Sequence, residues 1–226
     1  MEWTDEMIKQ GARPTGDVGR IVAGEMNICH FELWKRGLNH ITIADNSTIL
    51  DIGCGGGGAI TLINTYSPTS RICGIDLSED MVDFSFKTNE DLVKQDTAEI
   101  KYGNVLAIPY PQNTYDLVTA FETDYYWNDL RIAFKEVLRV LKPGGMFLMV
   151  DEAYSHEFFQ ERNRYWMELT NGSVYTPVEY RHNLKDAGFD PVEIYEDIKR
   201  NWITVTAGKP QTVHQSPGTR ALRSGG

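Results

Sequence analysis

The segment Ile49-Leu50-Asp51-Ile52 runs directly into Gly53-Cys54-Gly55-Gly56-Gly57-Gly58 and then into Ala59-Ile60-Thr61-Leu62-Ile63. A short buried-strand pattern therefore passes, through five glycines, into a helical one. Each glycine in the first turns of a helix costs about 1 kcal/mol relative to alanine. A cluster of them implies a backbone that approaches a ligand or turns through positive φ. Gly53, Gly55 and Gly58 satisfy Gly-x-Gly-x-x-Gly, which at a strand-to-helix junction is compatible with more than one nucleotide cofactor or with a tight turn alone.

From Ser47 onward, short apolar runs alternate with helical stretches, the pattern of a parallel sheet with helices on both faces. The predicted strands are Thr48 to Ile52, Arg71 to Ile75, Glu99 to Tyr102, Asp116 to Phe121 and Met146 to Val150, then Pro191 to Tyr195 and Trp202 to Thr206. Leu130, Phe134, Val137 and Leu141 predict a helix that stops at Pro143-Gly144-Gly145, and a further helix runs from Pro177 to Asp186 with Gly188 as its stop. Val22, Met26, Cys29 and Leu33 predict one amphipathic N-terminal helix capped by Gly37, within a helical cap at 18–40. Phe158, Tyr165, Trp166 and Leu169 recur at helical spacing in an insertion at 155–175, read as a lid. Residues 1–17, with Gly11, Pro14 and Gly16, read as a flexible lead-in, and 209–226 as a flexible tail, leaving one domain at 18–208.

Composition narrows the partners. At 226 residues the chain suits one domain with a core of its own, and 41% hydrophobic with 24% charged residues is the balance of an ordinary globular protein. The net charge of -10 repels a polyanion, and no basic run is interleaved with aromatics, so nucleic acid is not an expected partner. Cys29, Cys54 and Cys73 lack metal-type spacing, so no metal site and no disulfide framework are expected. With no signal-peptide pattern and no apolar run near 18 residues, the expected location is cytoplasmic, without membrane insertion. Nothing in the pattern sets the oligomeric state.

Arg71-Ile72-Cys73-Gly74-Ile75-Asp76-Leu77-Ser78 places an acid at the end of the second strand, beside the glycine loop. A carboxylate there can accept both hydroxyls of a ribose. Asp76 alone does not separate S-adenosylmethionine from NAD, and an acid at a strand end can also simply precede a helix, with Ser78 as that helix's cap. The neighbouring chemistry does discriminate. A pyrophosphate wants amides and no nearby acid, whereas an ammonium and a sulfonium tolerate acids, and Asp51 stands two residues before Gly53. The only Tyr-x-x-x-Lys pair considered for hydride chemistry, Tyr195 and Lys199, falls in the late hairpin.

Over roughly residues 45 to 208 the sequence resembles the class I methyltransferase superfamily. The resemblance rests on Leu50-Asp51-Ile52-Gly53-Cys54-Gly55-Gly56-Gly57, on Gly74-Ile75-Asp76-Leu77-Ser78, on Ile108-Pro109-Tyr110 leading to Tyr115-Asp116-Leu117-Val118, and on Leu138-Arg139-Val140-Leu141-Lys142-Pro143-Gly144-Gly145. It implies an α/β fold, a Rossmann-like seven-stranded sheet whose last strand is antiparallel, and S-adenosylmethionine as cofactor. It also implies that Gly53, Cys54 and Gly55 hold the methionine part, that Asp76 holds the ribose, and that Leu77 and Met81 pack on the adenine. Asn104 and Val105 occupy the position that addresses the adenine edge, with Asn104 where the family often has Asp.

Ligands in open α/β sheets bind beyond the carboxyl ends of the strands. Phe121 is therefore assigned to the cofactor, and Tyr125, Tyr126 and Trp127, with Tyr154 after the fifth strand, to a small or medium-sized methyl acceptor. Should the acceptor lose a proton, His30, Tyr126, Glu152 and His156 are candidate bases, of which Glu152 and His30 are the expected catalytic pair. Two other functions remain compatible with these residues: an inactive cofactor-binding regulatory protein and an NAD-dependent oxidoreductase.

Overall fold

The computed structural model describes residues 3–211. In chain order, α1 (Asp5–Ala12), α2 (Gly16–Cys29) and α3 (Phe31–Leu38) precede an alternating unit of β1 (Thr48–Ile52), α4 (Gly58–Tyr66), β2 (Arg71–Asp76), α5 (Glu79–Thr88), α6 (Glu90–Lys94), β3 (Ala98–Tyr102) and β4 (Tyr115–Phe121). There follow α7 (Leu130–Val140), β5 (Leu141–Asp151), α8 (Gln160–Thr170), α9 (Pro177–Ala187), β6 (Val192–Asp197) and β7 (Trp202–Gly208). The seven strands form one sheet in the order β3-β2-β1-β4-β5-β7-β6, with β7 antiparallel to both neighbours. This is the expected fold class. No helix among the described residues is long and apolar enough to cross a membrane.

Strand alternation divides the core in two. Leu50 and Ile52 of β1 point to one face, with Phe134 and Val137 of α7 and Tyr180 and Leu184 of α9. Ile49 points to the other, with Leu33 and Leu38 of α3 and Ile60 and Ile63 of α4. The helices are terminated by their own residues. Asp129 accepts from the amides of Arg131 and Ile132 at the start of α7. Thr176 and Glu179 form a reciprocal cap on α9, which Gly188 ends in the left-handed region.

β5 begins earlier than the expected Met146. Leu141 pairs with Tyr115, the register then slips through Lys142 to Gly145, and pairing resumes between Met146 and Leu117. The tail boundary at 209 also shifts, because Lys209 Nζ donates to the carbonyls of Leu138 and Leu141 and to Asn113 Oδ1, binding the end of α7. Residues 212–226 of the expected tail lie outside the described residues.

The N-terminal region departs most from expectation. Within the supposed flexible 1–17, Thr4 caps α1 by accepting from Met7 N, and Ile8 is buried. Asp5 accepts a hydrogen bond from Tyr165 OH at 2.6 Å, so α1 docks on α8 of the lid. The glycines and proline that read as an irregular lead-in instead punctuate two helices. The single helix expected over Val22 to Leu33 is two helices meeting at His30, and Cys29 is exposed. Gly37 is not a cap: it is buried inside α3, and Asn39 ends that helix. The lid's apolar repeat is not its buried face either. Phe158 and Tyr165 are exposed, and the buried residue is Asn163, whose Nδ2 donates to the Tyr154 carbonyl.

Gly37 allows α3 to lie directly on β5, since a Cβ there would overlap Val150. Gly37→Val is therefore expected to destabilise the protein by about 1–3 kcal/mol through overpacking. Urea denaturation checks this, and an unchanged midpoint would show that α3 and β5 separate freely.

Candidate active site

A cavity opens at the carboxyl edge of β1, β2 and β4, where parallel order places the loops that follow these strands side by side. Its floor is the glycine loop. The amides of Gly53 and Cys54 both donate to Ile75 O, at 2.8 and 3.0 Å, tying the end of β1 to β2. Gly53 has φ +70°, and a Cβ there would overlap the Thr123 side chain, so glycine is required both by conformation and by contact with the β4 loop.

Asp76 organises one wall. Its Oδ2 accepts from Gly55 N at 2.9 Å and its Oδ1 from Ser78 N at 2.8 Å, so each oxygen keeps a lone pair for a ligand. Burial holds its carboxyl above the ordinary range, against these amides and the charge of Arg13. Asp51 is also buried in the wall, its Oδ1 accepting from Thr119 Oγ1 at 2.7 Å. Burial pushes its carboxyl up to about 7, against the Thr119 hydrogen bond and with repulsion from Asp76.

Gly53, Cys54, Gly55, Leu77, Asn104, Val105 and Phe121 all line this cavity. Met81 does not: it lies in the first turn of α5 and is fully buried in the core. Asn104 Oδ1 already accepts from Leu106 N at 2.9 Å, so the side-chain carbonyl expected to meet the adenine is partly engaged. Ser78 does not cap α5 with its side chain. Its Oγ instead donates to Pro14 O at 2.7 Å.

That contact is one of several drawing residues 11–20 across the opening. Arg13 donates to Leu77 O, while Gly16 N and Arg20 both reach Asp80. From α2, Asn27 donates to Gly56 O at 3.2 Å and accepts from Gly58 N at 3.3 Å, and a Cβ on either glycine would come within 2.7 Å of it. Sequence reading missed Asn27 and Arg13. For Asn27 a signal existed, because Ala23, Asn27 and His30 fall at i, i+4 and i+7 on one helical face, and all three line the cavity.

The opposite end is aromatic and acidic. Tyr126 and Trp127 line it, but Tyr125 and Tyr154 do not. Tyr125 is buried, donating to Glu122 Oε2 at 3.2 Å and accepting from Ala153 N at 3.1 Å, and Tyr154 is enclosed in the core. Both are pulled behind the wall by packing that a run of aromatics does not reveal. His156 caps the 3-10 turn before α8 by accepting from Phe158 N.

Glu122, absent from the expected site, is a principal wall residue. It follows β4 with φ +58°, a conformation that a non-glycine residue rarely adopts and that needs support from its surroundings. Support comes from Tyr125 OH and from Glu152 N, which donates to Glu122 Oε1. The expected pair also comes together, with His30 Nε2 3.4 Å from Glu152 Oε1. Burial drives the Glu122 carboxyl up, only partly offset by the charge of His30. For Glu152 the effect of burial is outweighed by His30, and its carboxyl is held low. Burial would lower His30, but Cys29, Glu152 and Glu122 outweigh it and hold the imidazole up. Behind this group Asp124 and Asp151 are fully buried, with Asp124 raised by burial to about 6.

A family profile described as a methyltransferase domain matches residues 50–149, from β1 to near the end of β5. The 27-O-demethylrifamycin SV methyltransferase of Amycolatopsis mediterranei is 31% identical over 162 residues, 67% of this chain and 57% of its own. The chain belongs to the class I S-adenosylmethionine-dependent methyltransferases. Among other members, the demethylmenaquinone methyltransferase of Staphylococcus aureus is 32% identical over 130 residues, 55% of this chain and 53% of that one. The chain thus spans little more than half the length of these two relatives. The fold is shared with a chain from the structure of the complex between the Haloferax volcanii methyltransferase activator and a putative methyltransferase, at TM-score 0.75 and 22% identity, covering 93% of this chain and 100% of that one. The matched profile contains the glycine loop, Asp76 and Glu122 of this methyltransferase. Its α1, α2, α8 and Glu152 lie outside the match.

Burial raises the Asp51 carboxyl to about 7 in the folded protein, whereas an unfolded aspartate releases its proton near pH 4. Because the folded value is the higher one, this group's contribution to stability falls as pH rises from about 4 to 7, at about 1.4 kcal/mol per pH unit. Asp51→Asn keeps an acceptor for Thr119 and removes the charge. It is expected to be more stable than the parent at pH 8, with the advantage gone by about pH 4. Urea denaturation across this range checks it, and a difference independent of pH would contradict the assignment.

Proposed function

We propose that this methyltransferase transfers the methyl group of S-adenosylmethionine to a small or medium-sized acceptor molecule. The observation that carries the reading is the pairing of a glycine loop with two carboxylates in one cavity wall, Asp51 fully buried and Asp76 half-buried. Acids there repel a pyrophosphate and attract a ligand with an ammonium and a sulfonium. In this reading Asp76 accepts the ribose hydroxyls on its free lone pairs, and Leu77, Asn104 and Val105 receive the adenine. The methionine part lies over Gly53 to Gly55, where its ammonium offsets the buried charge of Asp51.

The sulfonium methyl then points toward Phe121, Tyr126, His30 and Glu122, which line the remaining part of the cavity. Methyl transfer needs an acceptor atom in line with the breaking bond, and positioning alone supplies up to about 7–11 kcal/mol of the barrier. Tyr126 and Trp127 offer flat apolar walls for this, and the lid closes over them, with Ser173 N donating to Tyr125 O at 2.9 Å. A small acceptor is supported by the relatives named for demethylrifamycin and demethylmenaquinone. The net charge of -10 counts against a nucleic acid.

Calorimetry with S-adenosylmethionine tests the reading. Binding is expected, and Asp76→Asn should weaken it about 10- to 100-fold, the value of a hydrogen bond to a charged acceptor. No detectable binding to the parent protein, or displacement of the cofactor by NAD, would overturn it. Labelled cofactor incubated with pooled metabolites then identifies the acceptor.

A further inference from the structure

Three side chains from distant parts of the chain converge at the acceptor end of the cavity. His30 stands between α2 and α3, Glu122 follows β4 and Glu152 follows β5. One nitrogen and two carboxylate oxygens from them lie within 4.8 Å of one another. Among the described residues, no hydrogen-bond partner meets His30 Nδ1, although the side chain is only 9% exposed. His30 Nε2 faces Glu152 Oε1 at 3.4 Å, longer than the 2.7–2.9 Å typical of a charge-assisted hydrogen bond. A polar group buried without a partner costs about 1–3 kcal/mol. The imidazole therefore presents Nε2 to Glu152, while Nδ1, on the other side of the ring, is buried without a partner.

We propose that His30, Glu122 and Glu152 bind a divalent transition-metal cation. Two carboxylates this close in a buried site are poorly balanced by one imidazolium, whereas a dication neutralises both. Arg162 makes no hydrogen bond to either carboxylate, donating instead to the Glu152 backbone carbonyl at 3.1 Å and to Asn163 Oδ1, and acts on Glu152 only through its charge. Metal–ligand bonds of about 2.0–2.2 Å in a tetrahedral site place donor atoms roughly 3.4 Å apart, so side-chain rotations that close the present separations, all within 4.8 Å, bring the three atoms into coordination. Glu122 is already oriented as metal-ligating carboxylates are, by the Tyr125 hydroxyl and the Glu152 amide. An imidazole with two carboxylates suits Zn²⁺, Fe²⁺ or Mn²⁺ and, lacking thiolate, disfavours Cu⁺.

His30 and Glu122 line the cavity, so the open coordination positions face the space left for the acceptor. The use of those positions rests on the methyl-transfer reading, whereas the metal site itself does not. An acceptor hydroxyl bound to the cation loses its proton to solvent water, because the metal lowers its pKa. The oxygen lone pair then forms the new bond to the methyl carbon as the carbon–sulfur bond breaks and its electron pair returns to sulfur. His30 and Glu152 act in this scheme as ligands, in place of the proton-accepting pair expected from sequence.

The test uses the full chain, stripped with a chelator and titrated with Mn²⁺ under electron paramagnetic resonance and with Zn²⁺ by calorimetry. One bound Mn²⁺ or Zn²⁺ per chain is expected, weakened at least about tenfold in His30→Ala and Glu152→Gln and unchanged in the surface control Glu32→Gln. Circular dichroism and S-adenosylmethionine binding measured on the same variants separate loss of the site from loss of the fold. Absence of binding by the folded parent, or binding that both ligand variants retain undiminished, overturns the proposal and returns His30 and Glu152 to metal-free proton transfer. Metal binding without any cofactor binding would instead overturn the methyl-transfer reading and leave the metal site standing.

Discussion

The carboxylate of Asp76 ties the parts of this site to one another. By accepting from Gly55 N and Ser78 N it locks the loop after β1 to the loop after β2. Through Ser78 Oγ and Pro14 it also reaches the segment that crosses the cavity. The two bonds that end on the carboxylate itself, from Gly55 N and Ser78 N, are worth more than neutral ones. A carboxylate at this position thus acts first as a structural clamp. It keeps lone pairs free for a ligand because an ionised carboxyl accepts more bonds than two amides supply.

Around that clamp the carboxyl edge of the sheet collects acids that are buried or half-buried. Asp51, Asp76, Glu122, Asp124 and Asp151 are all raised by burial. Glu152 alone among the acids around His30 is held low, and it is the one that faces the imidazole. The fold holds these acids against desolvation, and one of them, Glu122, on a left-handed backbone. A cation beside them would offset that desolvation, the physical ground shared by the proposed ammonium near Asp51 and the proposed metal near Glu122.

The parts outside the matched profile give the site its individuality. Asn27 grips the glycine loop from α2, α1 docks on α8 through Asp5 and Tyr165, and Arg162 of α8 holds the strand end that carries Glu152. The N-terminal helices and α8, distant in sequence, thereby pack on one another beside the cavity. This packing depends on a few polar contacts, so it opens at lower cost than the two-sided core beneath.

Sequence alone determined the sheet, its strands to within a few residues, the glycine loop and Asp76. Those features are written in local periodicity and in glycines whose cost only a turn or a ligand explains. Tertiary structure decided which side chains beyond the strand ends face the cavity. Glu122 turns inward because its backbone is left-handed, Tyr125 and Tyr154 turn away because they pack behind it, and Met81 belongs to the core. It likewise split the N-terminal helix at His30 and set Gly37 against β5. No short-range pattern encodes these outcomes, because each depends on contacts between residues far apart in the chain, as when His30 meets Glu152 across the sheet edge.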